Sequence, residues 1–271
     1  MNKYGHIIIR SGLFFFGVTL IGIGVLQVVF ADFESVILPY WPDRFPGKLI
    51  GVYIASLGLI IPGMVLLLGK DLRKLCLWLG VAFLLLFLIG HLPYRLVHDL
   101  HSMGPWTNSL KTLTFSGGAL LLAKALPGKG PGLVEKVVPA APLFIAIFLI
   151  FCGIEHFVYA PFVATLVPAW IPGAMFWTYF AGAALIAAGL GILLPMTRRL
   201  AAALLGAMIF LWLLMLHIPR AVADPIGLNG NECVSVFEAL SFSGFAFVLA
   251  VISGRDGRGR GDSRQAADGR L

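Results

Sequence analysis

Apolar residues run along this chain in unbroken stretches of about 20, the length a helix needs to cross the hydrocarbon core of a bilayer. Eight such stretches occur: Ser11 to Ala31, Leu49 to Leu68, Leu75 to Leu92, Trp106 to Leu126, Val137 to Tyr159, Met175 to Met196, Leu200 to Ile218 and Cys233 to Ser253. Pro, Gly, Trp or clustered charge separates them. Each stretch is continuously apolar and does not alternate with a period of two, so the pattern predicts membrane helices and not barrel strands. The expected fold class is an all-α membrane protein of eight transmembrane helices.

The pattern also repeats. Shifted by 126 residues, Phe45 to Pro93 aligns with Ile171 to Pro219 without a gap, and 16 of 49 positions are identical. Chance in such a composition gives roughly a tenth. The identities fall on punctuating residues: Pro46-Gly47 with Pro172-Gly173, Gly63 with Gly189, Arg73 with Arg199, and His91-x-Pro93 with His217-x-Pro219. Further out, Gly24, Val29, Ala31 and Phe33 pair with Gly153, Val158, Ala160 and Phe162, and Phe115-Ser116-Gly117 with Phe242-Ser243-Gly244. Each copy holds four helices, an even number, so both enter the membrane from the same side. The expectation is two parallel repeats, residues 1–130 and 131–254, with a disordered basic tail at 255–271. The first connection of each copy is rich in proline and aromatics: Leu38-Pro39-Tyr40-Trp41-Pro42 in one, Leu166 to Pro172 with Trp170 in the other. A cap folded over the outer end of the bundle and a plain interfacial belt both account for this.

Composition agrees with a bilayer solvent, since 59% hydrophobic and 12% charged residues leave too little polar surface for a water-soluble globule. The net charge of +7 matters less than its placement. Of the 20 basic residues, only Arg44, Lys48, Arg95, Lys111 and Arg220 lie away from one set of alternate loops and the termini. The positive-inside rule then puts both termini in the cytoplasm of a cell (plasma or inner) membrane. The tail lacks aromatic residues for base stacking, so no nucleic-acid partner is expected. Lys3 and Arg10 before an apolar run ending Val29-Phe30-Ala31 have the form of a signal peptide. The first helix has a counterpart in mid-chain, where no signal peptide can be, so it is expected to stay uncleaved. Cys76, Cys152 and Cys233 are far apart and form no Cys-x-x-Cys pair, which argues against a dithiol site.

A family resemblance rests on four features of the unit. These are a Gly-rich first helix, an outer loop containing Leu-Pro or Val-Pro, a small-residue second helix ending in a short basic turn, and a His closing the third helix. The basic turns are Gly69-Lys70-Asp71-Leu72-Arg73 and Pro195-Met196-Thr197-Arg198-Arg199. In these the chain resembles the DoxX/DoxD-like membrane family, as a tandem duplication of a unit that commonly stands alone. The second copy fits better, above all from Gly153 to Pro219. The resemblance implies association with redox systems, such as the small subunit of a thiosulfate:quinone oxidoreductase. Direct thiol chemistry is not implied here, because a cysteine pair is missing.

A charged group in hydrocarbon costs about 2.5 to 3.5 kcal/mol on insertion scales, so every ionisable residue within a span is a site candidate. Six stand out: His91, Lys111, Glu155, His156, His217 and Glu238. At about 1.5 Å per residue from the helix ends, all six fall in the outer third of the bundle. Lys111 and Glu238 hold nearly equivalent repeat positions with opposite charge, and could pair near the pseudo-two-fold axis. Such a pair serves either a site or only helix orientation. Adjacent residues on a helix point about 100° apart, so only one of Glu155 and His156 is expected to face the bundle squarely. The two His-x-Pro motifs either line a pocket or satisfy carbonyls freed where a helix exits at proline. No short-spacing metal signature is present, so no metal site is expected. On the outer loops Arg95, Arg220, Trp41 and Trp170 are candidate ligand contacts.

These features predict a membrane subunit of a redox system, with a redox partner protein and an outer-facing pocket between the two four-helix units. The pocket would take a small lipophilic or quinone-like ligand; whether the chain is itself catalytic is left open. A transporter gated by the same polar layer and a non-catalytic membrane scaffold are the alternatives. Against transport, the inner halves of the helices carry almost no polar residues.

Overall fold

A computed structural model describes residues 3–39, 41, 46–70 and 72–255. Tyr40, Pro42 and Arg44 of the first outer loop, Asp71 of the first basic turn, and the tail from 256 onward with its expected disorder lie outside the described residues. Among the described residues the chain forms helices and no strands. The main ones are α1 (Lys3–Phe30), α2 (Lys48–Leu68), α3 (Leu72–His98), α4 (Met103–Ala125), α5 (Ala141–Val158), α6 (Ala160–Leu166), α7 (Ala174–Leu193), α8 (Arg198–Ala223) and α9 (Gly227–Arg255). Seven of these, all but α4 and the short α6, belong to stretches long and apolar enough to cross a membrane.

Helix α4 departs from the expectation for Trp106 to Leu126. It has the length, but Ser109, Thr112, Thr114 and Ser116 dilute its apolar content. The compensation is position: every residue from Thr112 to Ala123 is buried, so all faces of α4 meet protein. A helix shielded from lipid on every side can carry hydroxyls, because its neighbours supply hydrogen-bond partners. Ser116 Oγ, for example, donates to the Gly80 carbonyl of α3 at 2.7 Å.

The packing pairs follow the internal shift. Helix α1 lies on α2 and α3 on α4, as α5 lies on α7 and α8 on α9. Across the two halves α1 packs on α9 and α5 on α4, while α4 and α9 touch each other. Lipid gives no hydrophobic drive for helix association, so close approach at small residues does the work. A Cβ built on Gly63 would sit 2.8 Å from the Gly17 carbonyl oxygen, and one on Gly153 would sit 2.7 Å from that of Gly182. Between the halves, one on Gly117 would sit 2.9 Å from the Ala141 oxygen. The centre is aromatic, with Phe16 edge-on to Phe245 at 5.1 Å and Phe115 tilted on Phe242 at 5.3 Å. One core therefore joins both halves.

Two local devices recur at matched positions. Gly47 and Gly173 precede α2 and α7 with φ of 82° and 76°, a left-handed turn that only glycine takes without strain. Helices α3 and α8 do not exit at their His-x-Pro motifs, contrary to expectation. Each widens into a π-turn, Leu86–His91 and Leu213–His217, and continues as α-helix to His98 and Ala223. The wider turn accommodates the missing proline N–H without ending the helix.

Candidate ligand cavity

A cavity of ≈ 270 Å³ lies in the second half of the chain, walled by α5, α6, α7, α8 and α9. The first half contributes Lys111. The cavity thus sits inside the second unit, and not between the units as the polar layer alone suggested. Of the six buried candidates, Lys111, His156, His217 and Glu238 line it, while Glu155 and His91 do not. None of the four outer-loop candidates reaches it. Arg95 is buried and bonds Asp99 and the Ser109 hydroxyl. Arg220 forks onto Glu232. Trp41 packs on Phe33 with ring centroids 5.8 Å apart, and Trp170 is exposed.

The polar lining is short of partners. Lys111 Nζ meets Glu238 Oε2 at 2.6 Å, joining α4 to α9 across the two halves. The other carboxylate oxygen, Glu238 Oε1, is buried without a hydrogen-bond partner among the described residues, and so is His217 Nδ1. A buried polar atom left unpaired costs about 1 to 3 kcal/mol. His156 Nδ1–H donates to its own helix at the Cys152 carbonyl, 2.7 Å away. Its neighbour Glu155 turns instead to the α4 side, where the Thr107 hydroxyl lies 2.7 and 2.6 Å from its two oxygens. The remaining walls are apolar or aromatic, including Phe148, Trp177, Trp212 and Phe242.

The corresponding place in the first half is filled by the chain itself. After α1, residues 34–38 turn into the bundle and bury Val36 and Ile37. His91, fully buried, lies 3.1 Å from the Ile37 carbonyl through Nε2 and 3.1 Å from the Ser109 hydroxyl through Nδ1. Donation from Nε2–H and acceptance at Nδ1 satisfy both ring nitrogens. Thr112 donates to the Val36 carbonyl. The loop is tethered further by Gln27, whose side-chain oxygen accepts the Glu34 N–H at 3.2 Å.

In the second half each of these partners is replaced. Aligned on Phe115-Ser116-Gly117 and Phe242-Ser243-Gly244, Val236 stands opposite Ser109 and Ala239 opposite Thr112, and neither carries a hydroxyl. His156 stands in place of Gln27, and the segment that follows forms α6, whose Val163 and Leu166 line the cavity. The lack of a Ser or Thr at 236 and 239 was visible in the sequence. The inward turn of 34–38 was not, since backbone carbonyls make its bonds.

Sequence reasoning also passed over Glu34. It is 8% exposed, beyond the end of α1, and its carboxyl pKa is pushed up to about 8, first by burial and then by the charges of Glu238 and Asp32. Among the described residues no group of three His, Cys, Asp or Glu is placed to hold a metal. All three cysteines are free thiols.

A family model described as a domain of unknown function, DUF8561, matches residues 145–231, which include α6, α7, α8 and much of the cavity wall but under half of the chain. No curated protein and no solved structure matches the chain.

Proposed function

We propose that the chain is a multi-pass inner-membrane protein whose second four-helix unit holds a small lipophilic or quinone-like molecule, as a DoxX-like subunit of a redox system. The observation that carries this reading is a cavity lined by Glu238 and His217, whose buried Oε1 and Nδ1 have no hydrogen-bond partner among the described residues. A dry apolar cavity has no use for such atoms, whereas a ligand site is mostly apolar with a few placed polar groups. In this reading α4 crosses the membrane with the other seven long helices, protected from lipid by them. The two halves are parallel repeats and both termini face the cytoplasm, with the redox partner engaged from outside the bundle.

The decisive experiment purifies the full chain in mild detergent, extracts bound lipids and identifies them by mass spectrometry. Recovery of a quinone-like molecule, lost in His217→Ala and in the double variant Lys111→Met with Glu238→Leu, is the expected result. Purified protein without such a molecule, and with no binding of added benzoquinones, would sink the reading. Reporter fusions at residues 2 and 255 test the topology separately; both should report the cytoplasmic side.

A further inference from the structure

We propose that the ligand of this cavity is a tailed lipid with a hydroxylated head: the head fills the cavity and donates its hydroxyl to Glu238 Oε1, and the tail lies in the groove between α7 and α8. The proposal rests on the reading of the cavity as a lipophilic-ligand site and adds the chemistry of both ends of the ligand.

The head follows from the unpaired atoms. Glu238 already accepts from Lys111 through Oε2. A carboxylate oxygen accepts hydrogen bonds and cannot donate one, so Oε1 calls for an O–H or N–H on the ligand. A bare carbonyl or ether offers nothing to that atom. The aromatic walls and the volume fit one ring: a cavity of about 150 Å³ takes benzene, and this one is ≈ 270 Å³. His217, whose Nδ1 lacks the hydroxyl partner that serves His91, lines the same cavity and accommodates a second polar substituent of the ring.

The tail follows from adjacency. A second, larger space of ≈ 950 Å³ runs along α7 and α8 from Ile171 to Thr197, lined almost wholly by apolar side chains such as Phe180, Ala184 and Leu204. It shares Trp177, Met208 and Trp212 with the cavity, so these three residues form a common wall between head and tail spaces. Trp177 and Trp212 stand edge to face on that wall, with ring centroids 6.3 Å apart, so the tail reaches the groove beside these two rings. From Trp177 to Leu194 the groove spans on the order of 25 Å at the helical rise, room for a long hydrocarbon chain. A ligand in the cavity alone would leave this groove to bulk lipid; a tailed ligand occupies both.

The test uses the full chain in nanodiscs with four probes: 4-decylphenol, its O-methyl ether, 4-ethylphenol and a decyl-benzoquinone. The ether keeps the shape and removes the donor. Decylphenol should bind about tenfold or more tightly than its ether, the scale of a hydrogen bond to a charged group, and also more tightly than ethylphenol. The double variant Lys111→Met with Glu238→Leu should erase the phenol-to-ether ratio while keeping the advantage of the tail. Ala184→Phe, which fills the groove, should erase the advantage of the tail and keep the ratio. Equal binding of phenol and ether, or a ratio unmoved by the double variant, overturns the hydroxylated head. A tail advantage that survives Ala184→Phe and Ala187→Phe overturns the groove. In either case continued binding of the benzoquinone leaves the broader reading standing, whereas no binding by any probe overturns both.

Discussion

Removing one member of the Lys111–Glu238 pair should destabilise the protein far more than removing both. At 2.6 Å and an effective dielectric near 20, the attraction is about 6 kcal/mol. Withdrawing two ions from water costs several kcal/mol each, so the pair comes out near balance against well-packed apolar residues. The side chains are 19% and 5% exposed, and the asymmetry sets the order of the single variants. Lys111→Met strands a carboxylate that already has one unpartnered oxygen, at a cost of about 3 to 5 kcal/mol. Glu238→Gln keeps an acceptor for the partly exposed Lys111, at about 1 to 3 kcal/mol. Lys111→Met with Glu238→Met should return to within about 1 kcal/mol of the parent. Unfolding in mixed micelles with increasing dodecyl sulfate reads these differences, and a loss of 3 kcal/mol or more is at least a hundredfold, roughly, in the folding equilibrium. If Lys111→Met stays within 1 kcal/mol of the parent, the pair does not neutralise a buried charge and the reasoning fails.

Other outcomes follow from single features. Gly63→Ala should cost about 1 to 3 kcal/mol by overpacking, because its new methyl would meet the Gly17 carbonyl oxygen at 2.8 Å. Gly58→Ala, with open space at the same helix, should be neutral or stabilising in the same unfolding assay. Arg73 clasps Glu135 with two nitrogens and bonds the Ala123 and Leu126 carbonyls at 2.5 and 2.8 Å. Arg73→Lys should therefore lose most of what Arg73→Ala loses, about 1.5 to 3 kcal/mol, and the melting temperatures of the two variants should lie close together. For Glu34, with its carboxyl pKa raised to about 8 by burial and then by Glu238 and Asp32, the fold binds a proton that the unfolded chain releases near 4.5. The stability linked to it is complete below that unfolded value, declines as pH rises between the two and is lost above 8. Glu34→Gln should match the parent near pH 4 and melt higher at pH 9; a constant difference across the range would count against the assignment.

What the sequence disclosed and what it withheld divide along a physical line. Continuous apolar runs disclosed the helices, since a spanning segment satisfies its own backbone and needs only length and apolarity. Ionisable residues within those runs disclosed Lys111, His156, His217 and Glu238, since burial makes each expensive. Which residues face which space was withheld, because it depends on packing between helices. Thus α4 stands at the centre, screened by the others, a position its hydroxyls allow but do not specify. Likewise the π-turns at His91 and His217 answer a proline that single-helix reasoning takes as an exit.

The two halves pair their helices alike but differ around their His-x-Pro histidines, one covered by a loop and the other beside a cavity. In the first half His91 needs an acceptor and a hydroxyl, and the structure supplies the Ile37 carbonyl and Ser109. Once the loop enters, Val36 and Ile37 are buried there, with the Ile37 carbonyl against His91. In the second half Val236 and Ala239 remove the side chains that would hold such a loop, and the segment instead winds into α6 above the cavity. Serine and threonine at those two positions should therefore favour closure. The double variant Val236→Ser with Ala239→Thr gives His217 a hydroxyl neighbour and restores the donor that grips the loop carbonyl in the first half. Its expected effect is weaker ligand binding in nanodiscs with little loss of stability. Unchanged binding would mean that loop length and α6, and not those two side chains, keep the cavity open.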